Sequence, residues 1–397
     1  MTSSPAEHNV VLVGAGHAHL AALRLFSINR EPRMRLTLVT RHELAPYSGM
    51  LPGVIAQHYT AAEAHIDTEP LCRLAGAELC IDEVIGLDLA NRRVLCRHAA
   101  PITYDSLSLD IGSTAGLQDI AGVAAHTVPV KPIDQVLPRI DAERERILAA
   151  NGRARIGVVG GGPGGIEVML ALQHRLAGDM AAAGLDCTGL AFVVITAGPD
   201  LLPELPVRAR RRIARILKDR NIEVRLNSRV TEVMAGAVVV NGCEDINLDE
   251  IFWSTHAEAA PWLRETGLAL DARGFVRVTE SLQSVSHPDV FAVGDIAAFA
   301  GRDLPKSGVY ALRSGPPLAR NLRRLVQGRP LQPFRPQRHV LYLISTGDRY
   351  AVGTRNGLAF EGRWAWRLKD WLDRSFIDSF RSAAIDPARL PKPETNH

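Results

Sequence analysis

Two short stretches of the 397-residue chain have the composition of phosphate cradles. NVVLVGAGHAHLAAL (residues 9–23) runs from β-branched residues into Gly14-x-Gly16, and ARIGVVGGGPGGIEVML (154–170) runs into Gly160-x-Gly162-x-x-Gly165. In such a turn the first glycine permits the tight bend and the second lets a pyrophosphate approach the backbone. The third lets the helix pack closely on its strand. Free N–H groups and the dipole at the helix start then hold the phosphate charge. The second turn has all three glycines, whereas the first has His19 in the third place and His17 two residues earlier. Since the third glycine governs only packing, Gly14 and Gly16 keep the phosphate work. His19 must then find room by a shifted helix or an outward rotamer. His17 either meets a pyrophosphate oxygen or is a solvated first-turn residue. Residues two apart on a helix point apart, so no metal site is expected from this pair.

Dinucleotide folds of this kind carry an acidic residue at the end of the second strand, on the adenosine ribose. Here those places fall on Thr40 and Thr196, leaving Glu43 to reach the first ribose. A threonine does not repel a 2′-phosphate, so NADH and NADPH both stay open for the second turn. The arginines at 208, 210, 211, 212 and 215 read as a solvated basic helix face or, alternatively, a phosphate clamp.

The elements that must position these residues repeat. Strand, glycine turn, helix and strand occur at 9–40 and again about 145 residues later, which implies two right-handed βαβ units with parallel strands. Short alternating segments at 77–112 read as an antiparallel meander, 224–241 as a second alternating region, and 131–151 as a charged helix closed by Asn151-Gly152. The expected fold class is α/β, with two Rossmann-like, three-layer ββα dinucleotide-binding domains, the second inserted in the first, plus a C-terminal segment. Residues 1–118 and 271–330 would form one dinucleotide-binding domain, 119–270 the other, and 331–397 a C-terminal region with an amphipathic helix.

Composition agrees with a globular, soluble protein: 46% hydrophobic and 22% charged residues, with a net charge of +3. So small a charge gives no reason to expect nucleic acid. Five scattered cysteines without a C-x-x-C fit a reducing cytosol. MTSSPAEHN has no basic start and no apolar region, so no signal peptide is expected. No run approaches the ~20 apolar residues of a membrane span.

YDSLSLDIGS (104–113), HPDVFAVGDIAAF (287–299) and the two glycine turns, in this order, resemble the two-dinucleotide-binding-domain flavoproteins of the pyridine nucleotide-disulfide oxidoreductase superfamily. Asp110-Ile111 stands where that family commonly has Ala-Thr. The resemblance implies FAD at the first turn and NADH or NADPH at the second, with Gly112, Ser113, Gly294 and Asp295 on the flavin nucleotide and Asp295 on its ribityl chain. APYSGMLPG stands where the disulfide reductases carry a cysteine pair, so a thiol mechanism is not expected. The chain is most similar to the branch of type II NADH dehydrogenases, and GHAHL, PYSGMLPGVIAQHY and PKSGVYALRSGPPLARNL resemble the flavoprotein module found alone or fused to selenide, water dikinase. Arg313 and Ser314 replace the paired glutamines of the dehydrogenases, and WSTHA replaces their A-T-G.

What the resemblance implies is an NAD(P)H dehydrogenase-like FAD oxidoreductase that passes electrons to a quinone or another small acceptor. Glu167 would lie near the flavin–nicotinamide contact, Lys306 would stabilise the reduced ring, and Tyr47, Ser48 and the residues to Pro52 would wall it. Oxidation or reduction of a sulfur or selenium species is an alternative, as is a non-enzymatic FAD-bound sensor, suggested by Thr196 and His256. In the tail, Trp364, Leu368, Trp371, Leu372, Phe376 and Phe380 read as one helical stripe flanked by Arg363, Arg367, Lys369, Arg374 and Arg381. Such a helix suits peripheral membrane contact at the inner face of the cytoplasmic membrane, packing on the flavin domain, or a homodimer contact.

Overall fold

The computed structural model describes residues 7–116, 120–131, 133–150, 152–255, 257–302, 304–337 and 340–381. Asn151, His256, the 118/119 boundary and the chain after Arg381, on which parts of the sequence reading fall, lie outside the described residues. In chain order the framework is β1 (His8–Val13), α1 (His17–Ile28), β2 (Met34–Thr40), β3 (Ala77–Ile81), β4 (Ser106–Leu109), β5 (Val128–Pro129), β6 (Ala154–Val159), α2 (Pro163–Ala182), β7 (Leu190–Ile195), β8 (Ile222–Arg225), β9 (Glu250–Trp253), β10 (Val290–Ala292), α3 (Gly308–Val326) and α4 (Arg363–Arg381).

Two five-stranded, all-parallel sheets result. The first has the order β10-β4-β1-β2-β3 and the second β5-β9-β6-β7-β8. Because β10 rejoins the first sheet after the whole second sheet is complete, the second unit is an insertion in the first. Each sheet is the middle of three layers. Along β1, Val10 and Leu12 enter one core with α1 and α3, while Val11 and Val13 enter another with the antiparallel segments Val84–Asp88 and Arg93–Cys96. The second sheet repeats this. Phe192 and Val194 meet the helices, and Val193 and Ile195 meet the meander Val230–Met234, Ala237–Val240 and Glu244–Asn247. Strands buried on both faces are what a parallel sheet requires.

The meander expected over 77–112 is shorter than its pattern suggested. Ala77–Ile81 and Ser106–Leu109 are parallel strands of the main sheet, not members of the meander. Ala77–Ile81 is the edge strand of that sheet, with Glu78 and Ile81 exposed. Ser106 and Ser108 mimic polar breaks but are fully buried, each hydroxyl bonded to an imidazole: His8 Nε2 at 2.8 Å and His19 Nε2 at 2.8 Å.

The C-terminal segment adds an antiparallel sheet (Tyr342–Ser345, Ala351–Arg355, Leu358–Gly362) and then α4. Ile377 and Phe380 of α4 join the helix-side core of the first sheet. Burying each is worth roughly 1.5–3 kcal/mol, so this helix is docked. The remaining stripe residues divide. Phe376 packs with that core, whereas Trp364, Trp371 and Leu372 are exposed. The reason is angular. At about 100° per residue an i, i+4 ladder drifts about 40° at every step, so its far end leaves the face on which it began.

The helices α1 and α3 touch most closely at Gly315, where an added Cβ would stand 2.6 Å from the Ala18 carbonyl oxygen and 2.6 Å from the Ala21 Cβ. Gly315→Val should therefore destabilise the protein by roughly 1–3 kcal/mol through overpacking. A thermal melt of the variant checks this, and an unchanged midpoint would show that the two helices are free to separate.

Candidate functional site

The two glycine turns sit at the carboxyl ends of β1 and β6, where parallel sheets place their ligands. Gly14 and Gly160 both need positive φ, at 93° and 131°. In the second turn a Cβ on Gly165 would collide with the Gly160 carbonyl oxygen, which is why that place must be glycine there. In the first turn the same carbonyl contact is remade by a side chain. His19 is fully buried, with Nδ1 2.7 Å from the Gly14 oxygen and Nε2 2.8 Å from Ser108 Oγ. The expected outward rotamer is not taken, because both ring nitrogens find partners inside. Burial pushes its pKa down to about 4, against the opposing pull of the Gly14 carbonyl.

His17 is not the solvated residue that one sequence reading allowed. Its ring meets Tyr47 edge-on at 5.3 Å and Phe376 of α4 at 6.1 Å. Burial lowers its pKa to about 4, more than the Asp295 carboxylate raises it. Its Nε2 and the Ser307 Oγ are enclosed without a hydrogen-bond partner among the described residues. A Cβ on the neighbouring Gly308 would stand 3.7 Å from Ser48 Oγ and 3.8 Å from His17 Cε1, so these groups rim one cradle. Enclosed polar atoms without partners are costly, and a phosphate- and ring-bearing ligand would supply what they lack. The donor set therefore fits FAD.

Around this cradle the sequence candidates fall into place unequally. Asp295 accepts from Ser113 Oγ at 3.1 Å and from Lys131 Nζ at 3.1 Å, and Lys131 also reaches Ser113 at 3.2 Å. Gly112 and Gly294 have φ of 71° and 68°. The ammonium of Lys306 donates to the Ala297 oxygen at 2.5 Å and lies 4.1 Å from the Phe275 ring centre. Glu43 is exposed, and its carbonyl accepts from Thr68 Oγ1 at 2.8 Å. At the second turn, space is open around Gly162, and Thr196 Oγ1 accepts from Gly198 N at 3.4 Å beside Gly161.

Tyr47 and Glu167 are brought together by a residue expected among the cations that flank the apolar stripe of the tail helix. Lys369 of α4 is buried, donating to the Gly49 oxygen at 2.7 Å and to Asp373 Oδ2 at 2.8 Å. Asp373 Oδ1 in turn accepts from the Tyr47 hydroxyl at 3.1 Å. Burial opposes the charge on Lys369, yet Asp373 and Glu167 together hold its pKa above the ordinary value. Glu167, in the second turn of α2, accepts from Ser345 N at 2.8 Å. Burial raises its carboxyl to about 7, although Lys369 pulls the other way. Burial and Asp373 push the Tyr47 phenol well above its ordinary range. The group can thus hold or release one proton near neutrality, at Glu167, beside a fixed cation. Lys131 and Asp373 carried no sequence signal, and Lys369 only that of a surface cation. Each acts through partners more than a hundred residues away, or lies on a helix whose charges looked solvated.

Glu167 generates a pH prediction. Its folded carboxyl keeps a proton up to about pH 7, whereas the unfolded chain releases it near 4.5. Stability contributed by this group should therefore fall as pH rises from about 4.5 through 7, by on the order of 2–3 kcal/mol. Thermal melts of wild type and Glu167→Gln across pH 5–8 test this: the gap between them should grow in favour of the variant as pH rises. Parallel curves would mean that the carboxyl does not titrate in that window.

Comparison with known proteins agrees with this fold. The chain is 25% identical to the type II NADH:quinone oxidoreductase of Haemophilus influenzae, with 90% of each chain covered. It is 23% identical to the demethylphylloquinone reductase of Synechocystis, covering 88% of this chain and 85% of that one. Among solved structures, NDH2 from Plasmodium falciparum in complex with NADH superposes with a TM-score of 0.80 at 14% identity, over 97% of this chain and 100% of that one. The sulfide:quinone oxidoreductase of Aquifex aeolicus does so with 0.79 at 16%, over 95% and 92%. The sequence model of the pyridine nucleotide-disulphide oxidoreductases matches residues 8–321, and the chain belongs to that family.

Proposed function

We propose that the protein is an FAD-dependent NAD(P)H dehydrogenase that delivers electrons to a quinone and uses no redox-active disulfide. The observation that carries this reading is the Tyr47–Asp373–Lys369–Glu167 group, which joins the two nucleotide turns at one place. In this reading residues 1–118 and 271–330 hold FAD, 119–270 bind NADH or NADPH, and 331–397 close the site. The quinone is supported by the relatives' activities.

FAD, when bound, accepts a hydride equivalent from a reduced nicotinamide and releases electrons singly or in pairs. The protein supplies position and charge. Gly160, Gly162 and Gly165 open the α2 amides to a diphosphate. Thr196 offers a ribose one hydroxyl and no repelling carboxylate, which suits either nicotinamide nucleotide. Gly14 and Gly16 with His17, Ser48 and Gly112 form the corresponding first cradle, and Lys131 and Ser113 keep Asp295 aimed at the ribityl chain. Tyr47 would wall the ring, Lys306 would border the Gly294-Asp295 end, and Glu167 would hold one of the two protons that a quinone takes up with two electrons. Holding two reactants in contact accounts for up to roughly 7–11 kcal/mol of rate.

No helix among the described residues is long and apolar enough to cross a membrane. The outer face of α4 nevertheless suits lipid. Trp364 is 55% and Trp371 62% exposed, and Leu358 of the preceding strand is 65% exposed. Arg363 and Arg367 are exposed with them, while Lys369 is turned inward and Arg374 pairs with Glu63 and Asp370. We assign this face to the headgroup layer of the cytoplasmic membrane's inner leaflet.

Anaerobic stopped-flow mixing tests the first reading. NADH or NADPH should bleach the bound flavin, and a soluble quinone should restore it, about tenfold or more slowly in Lys369→Met. Failure of both nucleotides at millimolar concentration would overturn the reading, and bleaching by a sulfide or selenide alone would point to chalcogen chemistry. Flotation with anionic vesicles tests the second. Trp364→Ser/Trp371→Ser should lose most vesicle binding while keeping the flavin, and equal binding by wild type and variant would remove lipid from this face.

A further inference from the structure

The two nucleotide turns contain an internal comparison. The main-chain carbonyl of Asp110 abuts the Cα of Gly14, as that of Ser254 abuts Gly160 in the second turn. Asp110 and Ser254 are thus equivalent residues, each following the strand beside the glycine turn. Their side chains do opposite things. At the second turn no atom of the described residues stands within 4 Å of a Cβ on Gly162. At the first, the Asp110 carboxylate lies against Gly16 and Gly294, where a Cβ on either would collide with it. It accepts from Ala18 N at 2.8 Å and His19 N at 2.9 Å, and it is 2% exposed. The chain's own anion sits at the helix pole that would otherwise be open to a phosphate.

We propose that Asp110 is a positioning residue that holds the α1 pole as a carboxylate and takes up a proton when the FAD diphosphate settles there, so that FAD binding by this chain is coupled to proton uptake. The inference rests on the assignment of FAD to the first turn.

The charged and titratable groups around Asp110 bear this out. From α1, the two amides favour its charge, while His17 and His19 are neutral imidazoles at physiological pH and add none. From the Gly294 turn, the Asp295 carboxylate disfavours its charge, and Lys131 pairs with that carboxylate. Burial outweighs the amides and brings the Asp110 carboxyl to about 7 before any ligand arrives. A diphosphate adds negative charge at the same pole and moves the balance further toward the protonated form. The proton comes from solvent and no other group changes charge. Above neutrality each pH unit then weakens FAD binding by up to about tenfold, the limit for one linked proton.

Full-length protein, equilibrated between pH 6.5 and 8.5 and separated by ultrafiltration, gives the FAD dissociation constant from the fluorescence of free FAD. Wild type should lose affinity by at least about threefold over this range. Asp110→Asn and Asp110→Ser, the latter copying Ser254, should show a flat profile and bind FAD more tightly than wild type at pH 8.5. A wild-type profile as flat as the variants', or variants equally weakened at every pH as for a cap alone, would overturn the proposal and leave the FAD assignment standing. Absence of FAD from wild type and variants at every pH would overturn both.

Discussion

The buried ammonium of Lys369 is the constraint on which the site depends. A cation enclosed by protein is tolerable only when it is paired and hydrogen-bonded, and here its partners come from separate parts of the chain. The Gly49 carbonyl belongs to the segment after the first βαβ unit, Asp373 lies one turn along α4, and the field of Glu167 comes from the second glycine turn. Meeting this one requirement fixes where the tail helix docks, how Tyr47 is oriented, and how the inserted unit faces the first. The cores on either side of each sheet provide stability, but this polar junction specifies a single arrangement.

The same requirement explains why the C-terminal helix has two unlike faces. Its inner face carries Lys369, Asp373, Ile377 and Phe380, and its outer face Trp364 and Trp371. A helix free to lie flat on a membrane would not bury a lysine and an aspartate on the side away from water. Docking by the inner face therefore leaves the outer face available for the membrane contact proposed above.

Much of the fold was legible because it is periodic. The two strand–glycine–helix repeats fix both sheets, and the alternation of Val10/Leu12 with Val11/Val13 fixes the three layers. The site was legible only where a motif announced it, at the glycine turns and at Gly294-Asp295. Lys131, Lys369 and Asp373 were not, since a charged residue on an amphipathic helix looks the same whether it faces water or a distant carboxylate. Asp110 is the instructive intermediate case. Its departure from Ala-Thr and the His19 departure from glycine were both visible in the sequence. Only the structure shows that they are one change, with the carboxylate holding the His19 amide while the imidazole holds the Gly14 carbonyl.

The central claim is that FAD lies between the first glycine turn, the Gly294-Asp295 segment and the junction built by α4. An experimental structure of the FAD-loaded protein tests it most directly. The account predicts the flavin nucleotide in contact with His17 and Asp295 and its ring against Tyr47, with Lys369 still joining Gly49 to Asp373. Flavin bound elsewhere, or His17 Nε2 and Ser307 Oγ left without partners in the loaded protein, would contradict it.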